Sequence, residues 1–341
     1  MKPKLQPDQN IIIPSTKLLT VNSHKLTDTA CSRYYFWRWI LNLVPRNFNI
    51  NFWFGSMMHT GIEEVSHGSS LKKTKRLMDK TDKAFCVGNK PGLDMVQEVK
   101  IQRDIGSLLI EGYYKLANEK MKGFTLGGTE IHFNKKLKQS HVVYEGTLDA
   151  WWKSRKRIIL VEGKTASQPN SDYFRRLTFD LQINGYADAL HDLTGRYPRS
   201  CYYTVFRKPQ IRQRKNETPK QFFTRLKEDL IVRKDWYFIF YKHPFGKGSI
   251  QAVMNDIEWM TFDLAAKYDY LTTDQLLDKD NWPRQAGQCF IYGTCPYFSL
   301  CRKKCSSLYY RFFKMRDIRY PLEHKELNKK RSFNTKMING K

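Results

Sequence analysis

Two carboxylates and a lysine, Asp149, Glu162 and Lys164, lie within one short stretch near the middle of the chain. Two carboxylates that converge can hold one hard divalent cation, because Mg²⁺ binds oxygen ligands at about 2.1 Å. A lysine beside them can orient a water molecule or stabilise a phosphate group. These residue types therefore indicate a site for a metal ion and a phosphate, provided that the fold brings the three side chains together.

A β-hairpin is the element that would position them. Apolar runs on either side of the basic turn at 153–156 predict two antiparallel strands. A turn centred between Ser154 and Arg155 places Asp149 opposite Leu160, and because side chains alternate along a strand, Glu162 and Lys164 share that face. Asp149 and Glu162 are then diagonal neighbours, roughly 7–8 Å apart. A structural ion-pair cluster at the end of a buried sheet is the alternative interpretation.

The charge of the chain indicates a polyanionic partner. Its 341 residues include 59 Lys and Arg against 33 Asp and Glu, which gives a net charge of +26. Nucleic acid is the first candidate, and a membrane surface is the rival, although no basic amphipathic helix supports it. No apolar run approaches the ~20 residues that span a bilayer, and the N-terminus lacks a signal-peptide pattern. We therefore expect an intracellular, cytoplasmic protein with reduced or metal-bound cysteines.

Four of the seven cysteines fall within a short stretch near the C-terminus: Cys289, Cys295, Cys301 and Cys305. Such clustering in an intracellular protein is typical of a metal centre. The absence of a CxxC pair argues against an ordinary zinc ribbon. An iron–sulfur cluster also takes four thiolates, and Cys31 could be a distant ligand. Zinc and free surface thiols remain the alternatives.

Further polar pairs at helical spacing occur on both sides of the hairpin. His59 and Glu63 are four residues apart in a short predicted helix, so one helical face carries both. Gln182 and Tyr186 have the same spacing within a helix predicted over 172–192. Taken alone, His59 is more often a structural histidine than a ligand.

In this order the motifs resemble the PD-(D/E)xK nuclease superfamily, specifically the RecB-like branch with its AddB-like iron–sulfur exonucleases and phage-type stand-alone members. The resemblance covers about residues 15–305. The motifs that carry it are Cys31, Gly55-x3-His59-x3-Glu63, Gly146-x2-Asp149, Glu162-x-Lys164, Gln182-x3-Tyr186 and the trailing cysteines. It implies an α/β restriction-endonuclease-like core, in which helices flank a mixed central β-sheet, with a helical insertion and an iron–sulfur clasp.

The resemblance also implies roles for individual residues. The ligands of Mg²⁺ or Mn²⁺ would be His59, Asp149, Glu162 and the backbone carbonyl of Gly163. Lys164 would help to position the attacking water, while Gln182 and Tyr186 would organise the active site and the bound strand. The 4Fe–4S ligands would be Cys31, Cys289, Cys295 and Cys301. The missing CxxC pair leaves Cys305 as a rival fourth ligand and zinc as the less favoured metal.

We thus expect an N-terminal arm over 1–25, a nuclease domain over 26–310 and a basic tail over 311–341. Within the domain, 66–125 would be a mainly helical insertion and 289–305 the cysteine loop. The predicted function is metal-dependent hydrolysis of DNA by a phosphodiesterase, most simply an exonuclease acting on single strands or ends. It would serve DNA processing, recombination or phage DNA metabolism, in the host cytoplasm if phage-encoded, with recombination or replication proteins as candidate partners. A non-catalytic DNA-binding or packaging component, or a structure-specific endonuclease, are the alternatives.

Overall fold

The computed structural model describes residues 19–47, 49–89, 92–139, 141–291, 293–302 and 311–315. Cys305, the first part of the predicted arm and most of the predicted basic tail lie outside these ranges. Within them, no helix is both long enough and apolar enough to cross a membrane.

The chain divides into two compact units. The sheet unit comprises Thr16–Leu26 and Phe48–Ala266, and the cysteine unit comprises Met1–Ser15, Thr27–Asn47 and Lys267–Lys341. The sheet unit is therefore inserted, in sequence, between the two main segments of the cysteine unit. The domain boundaries expected from the sequence stay a prediction.

The strands are β1 Leu19–Val21, β2 Leu43–Pro45, β3 Thr125–Lys136, β4 Val142–Lys153, β5 Ile158–Ala166, β6 Ser200–Arg207, β7 Phe238–Pro244 and β8 Phe313–Met315. The helices are α1 Ser23–Asp28, α2 Ser32–Tyr35, α3 Ile50–Ser66, α4 Leu71–Asn89, α5 Leu93–Lys120, α6 Ser171–Arg175, α7 Leu181–Thr194, α8 Pro219–Val232, α9 Lys234–Tyr237, α10 Lys247–Tyr270, α11 Thr273–Leu276 and α12 Phe298–Arg302. A π-helical turn at Phe36–Ile40 follows α2.

The sheet unit is built on one mixed sheet of six strands. Its order is β1-β4-β5-β6-β7, and β3 pairs with the other edge of β4. β1 runs parallel to β4 and β5 runs parallel to β6, whereas the other pairs are antiparallel. This arrangement confirms the predicted α/β class with a mixed central sheet flanked by helices. Residues 19–28, partly within the predicted arm, form an edge strand and a helix.

The hairpin forms as predicted, but the predicted register was wrong by two residues. Ala150 pairs with Val161 and Lys153 with Ile158, so the position opposite Asp149 is Glu162 rather than Leu160. The difference arises because the loop spans four residues and is closed by a hydrogen bond from Ser154 N to Arg157 O of 2.8 Å. A shift of two keeps every side chain on its predicted face.

β4 shares one of its edges between two different strands. On that edge its start, at 142–144, pairs with β1 and its end, at 150–153, pairs with β5, while β3 follows the opposite edge. In the described ladders, residues 145–149 thus have no strand partner on the shared edge. Asp149 is the last of them, so it lies where β4 and β5 diverge.

The segment predicted as a helical insertion supplies much of the core behind the sheet. α4 and α5 pack against α3 through the fully buried side chains of Met58, Leu109 and Ile110, with Met78 beside them. The burial of these residues makes the segment an integral layer of the sheet unit. It anchors α3, which carries His59.

The helix predicted over 172–192 was wrong in its continuity. α6 ends at Arg175, a 3₁₀ turn follows, and α7 begins at Leu181. Asp180 causes the break, because it adopts extended φ and ψ angles and its carboxylate accepts hydrogen bonds from the N–H groups of Gln182 and Ile183, at 2.9 and 3.0 Å. This N-cap satisfies two amides of the first turn and fixes the start of α7.

The cysteine unit is held together by aromatic packing. Trp37, Trp282 and Tyr297 are all nearly completely buried. The Tyr297 hydroxyl donates a hydrogen bond of 2.6 Å to the carbonyl of Leu43, and the Arg33 guanidinium donates one of 2.7 Å to the carbonyl of Trp282. These bonds join the N-terminal and C-terminal segments of the unit.

Candidate active site

The sheet unit brings the predicted catalytic residues together from four elements. α3 carries His59, β4 carries Asp149, β5 carries Glu162 and Lys164, and α7 carries the remaining pair. α3 lies against β5 at Gly163, where a Cβ would come within 2.5 Å of Ile62 Cδ1. The glycine between the two charged residues of β5 thus leaves room for the Ile62 side chain.

Close contacts link the charged side chains. His59 Nδ1 lies 3.5 Å from Asp149 Oδ2, and the same oxygen accepts a hydrogen bond of 3.2 Å from the N–H of Gly163. Lys164 Nζ lies 2.5 Å from Glu162 Oε1. Two carboxylates, one lysine ammonium and one imidazole therefore surround the point where β4 and β5 diverge.

The two carboxylates are destabilised in their charged forms. The Glu162 side chain is completely buried, and burial together with the nearby Asp149 raises the pKa of Glu162 to about 7, although Lys164 opposes the rise. Burial also raises the pKa of Asp149, against the effects of Lys164 and of the Gly163 N–H. Lys164 remains protonated, because Glu162 and Asp149 raise its pKa more than burial lowers it.

His59 is in the neutral form that binds metal ions. Burial and the Lys164 ammonium lower the pKa of His59 to about 4, against the opposing effect of Glu162. A neutral imidazole keeps a lone pair available, which is what a metal–histidine bond requires.

The polar atoms of the site fit a divalent cation. Both carboxylate oxygens of Glu162 are buried; Lys164 pairs with Oε1, whereas Oε2 has no hydrogen-bond partner among the described residues, and such an atom is costly unless something satisfies it. Carboxylates and a neutral imidazole are suitable ligands for Mg²⁺ or Mn²⁺. In the part of the chain that the structure describes, however, no three His, Cys, Asp or Glu side chains already stand as a ready-made metal site.

Gln182 and Tyr186 lie one turn apart on α7 and contact each other. Gln182 Nε2 donates a hydrogen bond of 2.9 Å to the Tyr186 hydroxyl. Burial, and then the neighbouring Glu162 and Asp149, raise the pKa of Tyr186 well above its usual value. The phenol is therefore neutral and lies on the carboxylate side of the sheet.

Sequence reasoning missed Glu130 on β3. Its neighbours pair across to β4 as Thr129–Ala150 and Ile131–Leu148, so Glu130 occupies the position opposite Asp149. Burial, and then Asp149 and Glu162, raise the pKa of Glu130 to about 8. The only signal in the sequence was an acidic residue in a half-buried strand, at a register that depends on the loop before β4.

The cysteine unit brings four of the predicted thiols near one another. The N–H of Gln285 donates to Cys31 Sγ at 3.4 Å, and the Gln285 carbonyl accepts from Cys289 Sγ at 3.9 Å. Trp37 Nε1 donates to Cys301 Sγ at 3.3 Å. Burial raises the pKa of Cys295 to about 11, with a further contribution from Cys301, Cys289 and Cys31. The rival Cys305 lies outside the described residues.

Comparisons with known proteins identify one family. A family model described as PD-(D/E)XK nuclease superfamily matches residues 26–302. No curated relative matches the sequence significantly. Among solved structures, a Eubacterium rectale protein provisionally named an exonuclease is 12% identical, with 86% of this chain and 92% of that chain covered at a TM-score of 0.46. A protein named SSO0001 is 11% identical, with 84% and 87% covered at a TM-score of 0.31. Because both scores are below 0.5, the family match alone carries the assignment.

Proposed function

Since the chain belongs to the PD-(D/E)XK nuclease superfamily, we propose that it is a metal-dependent exonuclease that hydrolyses phosphodiester bonds in DNA. Nuclease activity follows from the family, whereas the metal dependence, the exonucleolytic mode and the residue roles are the proposal. The observation that supports it most is the buried Glu162 carboxylate, which lies near Asp149 and His59 and whose Oε2 has no hydrogen-bond partner among the described residues.

The proposed ligands of Mg²⁺ or Mn²⁺ are His59, Asp149, Glu162 and the carbonyl of Gly163. The bound cation would neutralise the scissile phosphate and lower the pKa of a water molecule. The protein contributes rigidity: the Gly163 N–H fixes one Asp149 oxygen, and the buried strand β5 fixes Glu162. Ligands held in this way need little reorganisation when charge develops on the phosphate.

Lys164 is the proposed positioning and charge-stabilising residue. Its ammonium is protonated and contacts Glu162, so it can donate to a water molecule or to a phosphate oxygen on the same face of β5. Gln182 and Tyr186 form a neutral hydrogen-bonded pair on α7, and we propose that they order the site and the DNA strand.

Two basic residues stand at the end of β6, the strand that pairs with β5. Arg207 pairs in register with Ala166, two residues beyond Lys164, and Lys208 follows it. Lys208 Nζ donates a 2.6 Å hydrogen bond to Asn51 Oδ1, and burial lowers the Lys208 pKa. We propose that Lys208 contacts DNA phosphate, because phosphate contacts supply most of the affinity of such proteins and the net charge is +26.

The test uses purified full-length protein with Mn²⁺ on end-labelled linear DNA and on circular single-stranded DNA. We expect cleavage of the linear substrate alone, and we expect Glu162→Ala to abolish it while leaving DNA binding in EDTA largely intact. The matched control is Glu145→Ala, which removes a carboxylate from β4 outside the site. Cleavage of the circle would indicate an endonuclease. Equal activity of wild type and Glu162→Ala would refute the site, and DNA binding without any cleavage would indicate a non-catalytic component.

We also propose that Cys31, Cys289, Cys295 and Cys301 hold a 4Fe–4S cluster. The support is that the four thiols lie in one unit and that the N–H groups of Trp37 and Gln285 donate to two of the sulfurs, as donors commonly do around such clusters. Thiolates are required, so binding of the metal would have to overcome the raised pKa of Cys295.

Anaerobic purification tests the cluster. The protein should be brown, with iron and acid-labile sulfide in near-equal amounts, and Cys31→Ala should bleach it. Cys86→Ala is the control, because Cys86 lies in the sheet unit and contacts Asp82. Detection of zinc without acid-labile sulfide would show that the cysteines bind zinc instead of an iron–sulfur cluster. If the Cys31→Ala protein stays brown and the Cys305→Ala protein loses its colour, the fourth ligand would be Cys305 instead of Cys31.

The biological setting that we propose is DNA processing, recombination or phage DNA metabolism within the cytoplasm. Single-stranded DNA or DNA ends would be the substrates, and recombination or replication proteins are candidate partners.

A further inference from the structure

Glu130 has no role in the proposed chemistry, yet it faces the site from the third strand. β3 and β4 pair on both sides of it, at Thr129–Ala150 and at Ile131–Leu148. Residues directly opposite on antiparallel strands have Cβ atoms about 4.5–5.5 Å apart and point to the same face. Glu130 therefore occupies the register position opposite Asp149, one strand further from Glu162.

The backbone of Glu130 is strained in a way that pairing alone does not require. Its φ angle is +46°, in the left-handed region that side chains other than glycine and asparagine rarely adopt. The strand does not end there, since the ladder continues in register on both sides. Such strain persists only where the surrounding structure imposes it, and it is concentrated at functional sites.

The charges around the site provide an independent indication of a cation. Asp149, Glu162 and Glu130 carry up to three negative charges, and Lys164 supplies one positive charge among them. One divalent cation would bring this group to neutrality. Glu162 Oε2, which is buried without a hydrogen-bond partner among the described residues, marks where the further positive charge would be received.

We infer that Glu130 is a third acidic residue of the divalent-cation site, whose carboxylate binds the cation alongside Asp149 and Glu162. This inference rests on the proposed function, because it assumes that Asp149 and Glu162 bind a cation. It extends the site to β3, so three neighbouring strands would each contribute a carboxylate. Glu130 acts on the cation, and we assign it no contact with DNA.

The experiment measures Mn²⁺ binding to the full-length protein by calorimetry, without DNA. We expect Glu130→Gln to weaken Mn²⁺ binding by at least about 10- to 100-fold, because that much is lost when only an outer-shell partner of a metal ligand is removed. Asp149→Asn should abolish binding. Glu145→Gln is the matched control, because Glu145 is a carboxylate of the same strand, four residues before Asp149, and the variant should bind Mn²⁺ as wild type does.

Melting temperatures in EDTA separate a cation ligand from a structural residue. A ligand that lies among other acids should leave the metal-free protein as stable as wild type, or more stable, when Glu130→Gln removes its charge. Glu130→Gly is a second variant, because glycine suits the positive φ angle. It should raise the melting temperature in EDTA and weaken Mn²⁺ binding as Glu130→Gln does.

Three results would overturn the inference. Mn²⁺ affinity equal to wild type in both Glu130 variants, with binding lost in Asp149→Asn, would remove Glu130 and leave the proposed function intact. A lower melting temperature of Glu130→Gln in EDTA, together with unchanged affinity of the folded fraction, would make Glu130 a structural residue. Failure of the wild-type protein to bind Mn²⁺ would overturn both proposals.

Discussion

Replacing Glu162 by glutamine should stabilise the metal-free protein. Glu162 is completely buried, and its pKa is raised from 4.5 to about 7 by burial and by Asp149. A carboxyl group whose pKa is higher in the folded state binds more protons there than in the unfolded chain. The free energy of unfolding therefore falls as the pH rises from 4.5 to about 7 and stays low above that range. Glutamine resembles the protonated carboxyl and avoids this loss.

The size of the effect follows from the difference in pKa. The interval between 4.5 and about 7 corresponds to about 3 kcal/mol at 1.36 kcal/mol per pH unit, so Glu162→Gln should gain about that much at pH 8 in EDTA. For a chain of this size, such a gain should raise the melting temperature by roughly 5 °C or more. Near pH 4 the two proteins should melt together.

Divalent metal should reverse the order. At 1,000 times its dissociation constant a ligand stabilises the folded state by about 4.1 kcal/mol, which exceeds the advantage of about 3 kcal/mol that Glu162→Gln has without metal. Wild type should gain this stabilisation from Mn²⁺, whereas Glu162→Gln, having lost a proposed ligand, should gain little. Thermal melts at pH 4 and pH 8, with EDTA and with Mn²⁺, give the four values needed. A Glu162→Gln protein that is less stable than wild type in EDTA at pH 8 would show that the carboxylate is structural.

Three further outcomes are expected. Lys208→Ala should weaken DNA binding equally for all DNA sequences and reduce the slope of log binding constant against log salt concentration by about 1. An unchanged slope would show that Lys208 does not contact phosphate. Asp82→Asn should lower the free energy of unfolding by about 3–5 kcal/mol in denaturant melts, because the buried Asp82 carboxylate pairs with Arg103 and the substitution leaves that guanidinium beside a neutral amide. A loss below about 1 kcal/mol would contradict a stabilising ion pair. Mn²⁺ affinity should fall by at least about tenfold per pH unit below pH 7, because protons compete for Glu162, and for Glu130 already below about pH 8, while His59 stays neutral. A flat profile from pH 8 to 6 would refute the assigned pKa order.

The sequence predicted the faces of the hairpin better than its register. Alternation along β5 places Glu162 and Lys164 on one face whatever the loop length, and an even shift in register leaves the predicted relation of Asp149 to that face unchanged. The loop length itself was not encoded in any distinctive turn residue, because Ser154-Arg155-Lys156-Arg157 contains no glycine, asparagine or proline. Local patterns therefore identified the chemistry, and the ladder hydrogen bonds decided which residues stand opposite each other.

Glu130 and the break before α7 could not be predicted for a different reason. Both depend on a backbone conformation that competes with a regular pattern: the positive φ of Glu130 within a strand, and the N-cap of Asp180 within an apparently continuous helix. Cys31 lies in the same compact unit as Cys289, Cys295 and Cys301 because of the tertiary structure, and only the family resemblance predicted this from the sequence.

The insertion of the sheet unit within the cysteine unit sets an order of assembly. Residues 27–47 leave the ribosome early, but residues 267–302, which they pack against, follow only after the whole sheet unit has been synthesised. At about 5–20 residues per second, the delay is roughly 10–40 s. Cys31 is therefore synthesised well before its three proposed co-ligands, which follow the sheet unit in sequence and lie within 13 residues of one another. Loading of the proposed iron–sulfur cluster would then follow synthesis of the sheet unit, and a chain that ended before residue 289 would contain the strands of the sheet unit without the three later cysteines.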